Sequence, residues 1–249
     1  MQLTVLGGSG AWPGPGGACS GYLLVHDGFR LLVDPGYAVL PRLLEQVPAT
    51  EVDAVFVSHG HPDHCADLNP LLRARALIDD PAAPLPVYAL PGALDAVLAL
   101  DRPGMLDAAL QLHDLVPGVP LDIGPFRADS RLLPHSLPNV GVRLAADGRT
   151  LAYTGDCGDP EPGGEVADLA RGAAVFLAEA SFVDQIPEDS RATLSSARQA
   201  GRSAAAGGAD RLVLTHLLPG EDRDSAQATA AAEFTGRVDV ARPGLVVNL

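Results

Sequence analysis

The stretch Ser58-His59-Gly60-His61-Pro62-Asp63-His64 directly follows an apolar run, residues 52–57, that has the pattern of a strand. It contains three imidazoles and one carboxylate within six consecutive residues. Imidazole and carboxylate are ligands that suit Zn²⁺, and a catalytic zinc site has three protein ligands and an open position. The stretch therefore predicts a metal site at the end of a strand.

Further candidate ligands stand at other strand ends. Of the four His residues outside this stretch, His135 and His216 lie where predicted strands give way to loops, as Asp156 does. His26 and His113 lack such a context, and we expect them to be surface or structural residues. The candidate metal ligands are His59, His61, Asp63, His64, His135, Asp156 and His216.

The charge of the chain limits its partners. The 249 residues carry a formal net charge of -14, whereas surfaces that bind nucleic acid need clustered cations. We therefore expect no tRNA or DNA partner. All 17 basic residues are Arg, and the absence of Lys excludes P-loop and Lys-dependent Schiff-base chemistry.

The organisation of the sequence predicts one domain over residues 1–249, because no linker divides it. Its apolar runs are short and broken, and its first residues show no signal-peptide pattern, so we expect no membrane contact. Cys19, Cys65 and Cys157 are odd in number and widely spaced, which favours the reducing cytoplasm. The bias towards Ala, Arg, Gly and Pro is typical of a GC-rich bacterial genome.

Local patterns predict a mixture of strands and helices. Asp27-Gly28 and Asp147-Gly148 each separate two apolar stretches, which predicts two hairpins. Apolar residues at helical spacing predict helices over residues 39–47, 93–100, 194–206 and 225–234. Strands come first, without strict alternation with helices, which favours mixed α/β layers over a doubly wound parallel sheet.

The ordered motifs resemble those of the metallo-β-lactamase superfamily, and most of all its ribonuclease Z-like and phosphodiesterase-like branch. The motifs are His-x-His-x-Asp-His, Leu133-Pro134-His135-Ser136, Tyr153-Thr154-Gly155-Asp156 and Leu214-Thr215-His216-Leu217. This resemblance implies an α/β (α+β mixed) chain folded as a four-layer αββα sandwich. It also implies that the metals lie at one edge of the sandwich, where strand ends converge.

The resemblance implies a dinuclear zinc site, with two Zn²⁺ per chain and Mn²⁺ or Fe as alternatives. His59, His61 and His135 would hold one metal, and Asp63, His64 and His216 the other. Asp156 would bridge the two metals together with a hydroxide. Residues two apart on an extended segment face the same way, which supports a shared metal for the first two His residues.

The same comparison suggests residues around the metals. Asp63 is the candidate catalytic residue, because it could also orient the nucleophile or carry a proton. Asp34 and Glu179 are expected to brace ligands by hydrogen bonds. Trp12, Tyr37 and Thr193 are expected to line the substrate pocket, although aromatic residues at loop ends are more often packing residues.

Two departures from ribonuclease Z bear on the substrate. Thr193 stands where that family has a His thought to assist proton transfer, and Ala178 precedes Glu179 where the family has another His. The segment between His135 and Asp156 is too short for the arm that grips tRNA. We therefore expect a small-molecule substrate, either a phosphodiester such as a cyclic nucleotide or a lactone or thioester.

Two other classes remain open at this point. Related folds use iron for redox chemistry, although His61 argues against a di-iron site, where Glu is common at that position. A non-catalytic binding protein is the third alternative. Dimers are common in such families, so a homodimer also remains open.

Overall fold

The strand that precedes the His-rich stretch lies inside the first of two seven-stranded sheets. The computed structural model describes residues 1–158 and 163–249. Apolar side chains fill the space between the two sheets, and helices cover both outer faces. The predicted four-layer αββα sandwich is confirmed. Within the described ranges, none of the helices combines the length and the apolar character that a membrane crossing requires.

The first sheet contains both ends of the chain. Its strands are β1 (Gln2–Gly7), β2 (Gly21–His26), β3 (Phe29–Val33), β4 (Ala54–Phe56), β5 (Leu85–Ala89), β6 (Leu110–Asp114) and β14 (Val246–Asn248). Their order across the sheet is β14-β1-β2-β3-β4-β5-β6. The pairs from β14 to β3 are antiparallel and those from β3 to β6 are parallel. His26 pairs with Phe29 across Asp27-Gly28, as the predicted hairpin requires.

The second sheet is built from the middle and the last third of the chain. Its strands are β7 (Leu121–Ile123), β8 (Phe126–Leu133), β9 (Asn139–Ala146), β10 (Arg149–Tyr153), β11 (Val175–Glu179), β12 (Arg211–Thr215) and β13 (Arg237–Val240). Their order is β13-β12-β11-β10-β9-β8-β7. The pairs from β7 to β10 are antiparallel, including the predicted hairpin at Asp147-Gly148, and those from β10 to β13 are parallel.

Helices cover the two outer faces in separate groups. The helices α1 (Val39–Leu44), α2 (Pro62–Cys65), α3 (Leu68–Ala76) and α4 (Asp95–Leu98) belong to the first sheet. The helices α5 (Glu165–Ala170), α6 (Ala197–Gly207) and α7 (Arg223–Ala231) belong to the second. Short 3-10 helices span Ala49–Glu51 and Asp107–Ala109.

Two predicted helices begin later than expected. The helix predicted over residues 93–100 is limited to α4, because the chain before it is folded into a turn that Ala93 N–H closes on the carbonyl of Leu90. The helix predicted from residue 194 begins at Ala197. Ser196 caps it, since the Ser196 side chain accepts from Gln199 N–H and the Gln199 side chain accepts from Ser196 N–H.

Side chains in the core between the sheets join the two sheets near the edge where the candidate ligands lie. Tyr22 from the first sheet and Tyr153 from the second pack edge to face, with ring centroids 5.2 Å apart. The Tyr22 hydroxyl also lies 2.6 Å from the hydroxyl of Thr215, at the end of β12. The ends of β4, β10, β11 and β12 therefore meet at one edge of the sandwich, where the candidate ligands follow them.

The contribution of the inter-sheet core can be tested on two Leu residues of neighbouring strands. Leu144 of β9 is fully buried between the sheets, whereas Leu132 of β8 is 53% exposed. We expect Leu144→Ala to lower the free energy of unfolding by about 2–5 kcal/mol, because it leaves a cavity. Leu132→Ala should change it by less than about 0.5 kcal/mol. Urea unfolding followed by circular dichroism measures both, and equal effects would contradict the assignment of the core.

Candidate metal centre

The seven candidate ligands come together in two groups at this edge. The ligand atoms of His59, His61, His135 and Asp156 all lie within 4.8 Å of one another. The same is true of Asp63, His64, His216 and Asp156. Asp156 is common to both groups. The composition of the two groups is the one that the family resemblance implies.

The first group consists of three imidazoles around one point. Nδ1 of His61 lies 3.0 Å from Nε2 of His59 and 3.1 Å from Nε2 of His135. The nearer carboxylate oxygen of Asp156 lies 3.8 Å from Nε2 of His59. Burial lowers the pKa of His59 well below its usual range, and the neighbouring His64 lowers it further. These conditions favour the neutral imidazole, which is the form that binds a metal.

The second group alternates imidazoles and carboxylates. Nε2 of His216 lies 3.1 Å from both Asp63 and Asp156, and Nε2 of His64 lies 3.1 Å from Asp156. Burial would raise the pKa of Asp63, but the hydrogen bond from His216 and the charges of His64 and His216 hold that pKa below its usual range. Burial would likewise raise the pKa of Asp156, but His216 and His64 hold it well below. Both carboxylates are therefore charged.

The pKa values of the two imidazoles in the second group are raised, whereas those of its carboxylates are lowered. Burial alone would lower the pKa of His64, but Asp156 and Asp34 outweigh it and raise the pKa well above its usual value. Burial would also lower the pKa of His216, but Asp156 and Asp63 raise it. Without metal, the second group is thus held by ion pairs. A metal ion that binds there would displace the imidazole protons.

The donor atoms of the site fit a metal ion. Nε2 of His64 and Oδ1 of Asp156 are buried and have no hydrogen-bond partner among the described residues. They lie 3.1 Å apart, but they are not aligned as a hydrogen bond. Buried polar atoms without a partner are costly, and a cation between them would satisfy both. The imidazole and carboxylate set suits zinc in particular.

Asp34 lies behind the ligands, where the sequence predicts it. It follows β3 and is fully buried, with a φ of 52°. Its carboxylate accepts hydrogen bonds from the backbone and hydroxyl of Ser58, both at 2.7 Å, and from the Tyr153 hydroxyl at 2.6 Å. Nδ1 of His64 lies 2.8 Å from the same carboxylate. When Nδ1–H donates there, Nε2 of His64 is left to face the ligand group.

Glu179 supports the other side of the site. It is buried at the end of β11 and accepts a hydrogen bond from the backbone of Cys157, the residue after Asp156, at 2.9 Å. It also accepts from the hydroxyl of Ser181, which lies 3.0 Å from Nδ1 of His216. Burial, followed by the charge of Asp156, raises the pKa of Glu179 to about 7. Glu179 therefore contacts the ligands indirectly, through its neighbours.

The three predicted pocket residues lie near the site in different ways. Nδ1 of His135 lies 2.8 Å from the carbonyl of Thr193, so this residue orients the imidazole through its backbone. Trp12 is 57% exposed and follows Ala11, whose N–H donates to Asp63 at 2.8 Å. Tyr37 is 40% exposed, and its carbonyl accepts from the backbone of Cys19. Their roles towards a substrate remain predictions.

A cavity of about 400 Å³ lies beside the first ligand group, since Gly60, between His59 and His61, forms part of its wall. Its other lining residues come from the loop after β5, from Asp95 and Ala96 of α4, and from Leu137 and Pro138. The residues that line it within the described ranges do not include Trp12, Tyr37 or Thr193. The sequence offers only a weak signal for it, because short apolar loops are common.

Sequence reasoning also missed the polar residues that hold the ligands. Ser58 and Tyr153 donate to Asp34, while Ser181 and Ser195 donate to Glu179. The one available signal is that Ser58 directly precedes His59. The two remaining His residues fall outside the site, as expected. His26 is 3.2 Å from Asp147, and His113 stacks on Tyr88 with ring centroids 4.7 Å apart.

The role of Asp34 can be tested by a change of one atom in its side chain. Asp34→Asn replaces one accepting oxygen by an amide group that donates. That amide would face the groups of Ser58, His64 and Tyr153, which donate to the carboxylate of Asp34. We expect zinc affinity to fall by about 10- to 100-fold, measured by competition with a chelator. Asp27→Asn is the matched control, because Asp27 also has a positive φ, of 49°, but its side chain is exposed. Equal zinc affinity in the two variants would contradict the role of Asp34.

Comparisons with known proteins give the family. A model described as the β-lactamase superfamily domain matches residues 29–217. An uncharacterized protein of Mycobacterium leprae is 35% identical over 96% of this chain and 85% of its own length. YhfI of Bacillus subtilis, named a probable metallo-hydrolase, is 31% identical over 99% of both chains.

The crystal structure of YhfI, described as a metallo-β-lactamase fold protein, superposes with a TM-score of 0.89 over 99% of this chain and 98% of that one. A ribonuclease Z of Kineococcus radiotolerans is 30% identical over 96% of this chain and 91% of its own length. The chain therefore belongs to the metallo-β-lactamase superfamily.

Proposed function

We propose that this chain is a dinuclear zinc-dependent hydrolase that cleaves a small phosphodiester of the cyclic-nucleotide type. The observation that carries the proposal is the pair of ligand groups that share Asp156. When bound, two divalent metals would supply an activated water and would stabilise charge on the reacting group. His59, His61 and His135 would hold one metal, and Asp63, His64 and His216 the other.

The chain's own residues keep this site ready for reaction. The hydrogen bonds of Asp34 to His64 and of Thr193 to His135 fix the two imidazole rings. Ala11 N–H donates to one oxygen of Asp63, which gives its carboxylate a defined orientation. We propose that Asp63 also orients the attacking water and receives its proton, because its ionised oxygens can accept a hydrogen bond from that water.

The proposal of a small substrate rests on the net charge of the chain and on the short segment between His135 and Asp156. Between His135 and Asp156 the chain forms only the β9–β10 hairpin, which leaves little surface to grip a large RNA. The net charge of -14 disfavours a polyanionic partner. The likeness to a ribonuclease Z supports chemistry on a phosphodiester. We therefore propose that the substrate is a small phosphodiester and that neither tRNA nor DNA binds.

The metal and the compartment are part of the same proposal. Five imidazoles and two carboxylates form a donor set that suits zinc better than the oxygen-preferring Mg²⁺ or Ca²⁺. The three cysteines are buried and form no disulfide within the described residues. This supports a reducing compartment, and we propose the cytoplasm.

The proposed reaction can be tested on bis(p-nitrophenyl) phosphate and on cyclic nucleotides with zinc-loaded protein. We expect hydrolysis, and we expect Asp63→Ala to lower kcat by about 10²- to 10⁴-fold, because both orientation and proton transfer are lost. Asp79→Ala, at an exposed acidic residue, is the control and should leave kcat unchanged.

Two results would overturn this proposal. Activity on lactones, thioesters or carboxylic esters alone would exclude the phosphodiesterase. Unchanged kcat in Asp63→Ala would exclude the role given to that carboxylate.

A further inference from the structure

The cavity beside the first ligand group is lined by Gly60, by residues 90–93, by Asp95 and Ala96 of α4, and by Leu137 and Pro138. Residues 90–93 follow β5, and Leu137 and Pro138 follow the ligand His135. A Cβ at Gly60 would lie 2.5 Å from the carbonyl oxygen of Ala93, so the loop after β5 packs directly against the residue between two ligands. Gly60 joins the cavity wall to the candidate ligands His59 and His61, although no candidate ligand is among the described residues that line the cavity.

The lining of the cavity is apolar and contains no cation. Leu90 is nearly buried, and Leu137 is 40% exposed. Asp95 is the one charged residue among the lining residues that the structure describes, and no Arg accompanies it. An anionic group in this cavity would lose part of its water and would lie near Asp95 without a compensating charge among the described lining residues. An uncharged apolar group meets neither penalty and gains by leaving water.

The volume of the cavity limits the size of its occupant. A volume of about 400 Å³ lies at the lower end of the range of small-molecule sites. It accommodates one ring system and its immediate substituents, and it does not accommodate a chain of nucleotides.

We propose that this cavity binds an uncharged apolar group of the substrate, about the size of one ring system, while the reacting ester lies at the ligand groups. This proposal rests on the proposed function, because it assumes that the reaction takes place at those ligands. It narrows the substrate to a compound with one anionic centre and a single uncharged apolar substituent. The cavity then acts as the specificity pocket of the enzyme.

The test compares two ligands with the same anionic group. Phenyl phosphate and methyl phosphate differ only in the apolar part, and calorimetric titration of the zinc-loaded protein gives the ratio of their affinities. We expect phenyl phosphate to bind about tenfold more tightly, because its ring is buried in the cavity. The preference should disappear in Ala96→Trp, which fills the cavity from its wall. Ala99→Trp is the matched control, because Ala99 is also exposed near the end of α4 but does not line the cavity.

A second pair of variants tests the cavity even if Ala96→Trp does not fold. Leu137→Asp introduces a charge into the wall and should also abolish the preference for phenyl phosphate. Leu132→Asp, at another exposed Leu, should retain it. An affinity ratio near one in the wild type, or an unchanged ratio in both Ala96→Trp and Leu137→Asp, would overturn the proposal.

The ratio of the two affinities also distinguishes a failure of the cavity proposal from a failure of the proposed hydrolase function. If the preference for phenyl phosphate is lost in the cavity variants and no diester is hydrolysed, the cavity assignment holds and the hydrolase proposal fails. If diesters are hydrolysed and the ratio does not respond to the cavity variants, the cavity assignment alone fails.

Discussion

The buried carboxylate of Asp34 joins the two sheets at the edge where the candidate ligands lie. It follows β3 of the first sheet and accepts a hydrogen bond from Tyr153, at the end of β10 in the second. Its other partners are Ser58, which directly precedes the His-rich stretch, and the ligand His64. A charge removed from water is tolerated only when such bonds compensate it. Asp34 therefore connects both sheets to the His-rich stretch and to His64.

Backbone strain and close packing also constrain His216, a member of the second ligand group. His216 has a φ of 61°, a conformation that non-glycine residues adopt at a cost and that often marks a functional site. Gly10 packs against it so closely that a Cβ there would lie 2.8 Å from Nδ1 of His216. The hydroxyl of Ser181 lies 3.0 Å from the same nitrogen. Gly10 and Ser181 both lie against the Nδ1 side of the ring, and Nε2 faces Asp63 and Asp156.

The sequence predicted the candidate ligands because each ligand motif follows an apolar strand. His59 follows β4, Asp156 follows β10 and His216 follows β12, and strand ends of two packed sheets meet at one edge. Both hairpins were predictable for a local reason, since Asp-Gly favours a tight turn. The start of α4 is set by a local turn over residues 90–93, which Ala93 N–H closes on the carbonyl of Leu90 and in which Gly92 has a positive φ of 77°. Tyr153 and Ser181 could not be assigned, because Asp34 and His216, which they contact at the site, are distant from them in sequence.

Anomalous scattering from a crystal grown with zinc would show whether Asp156 stands between two metal ions, as proposed. We expect two peaks per chain at the zinc absorption edge. One should lie among His59, His61 and His135, and the other among Asp63, His64 and His216, with Asp156 in contact with both. A single peak, or peaks that appear only at the iron edge, would contradict this proposal.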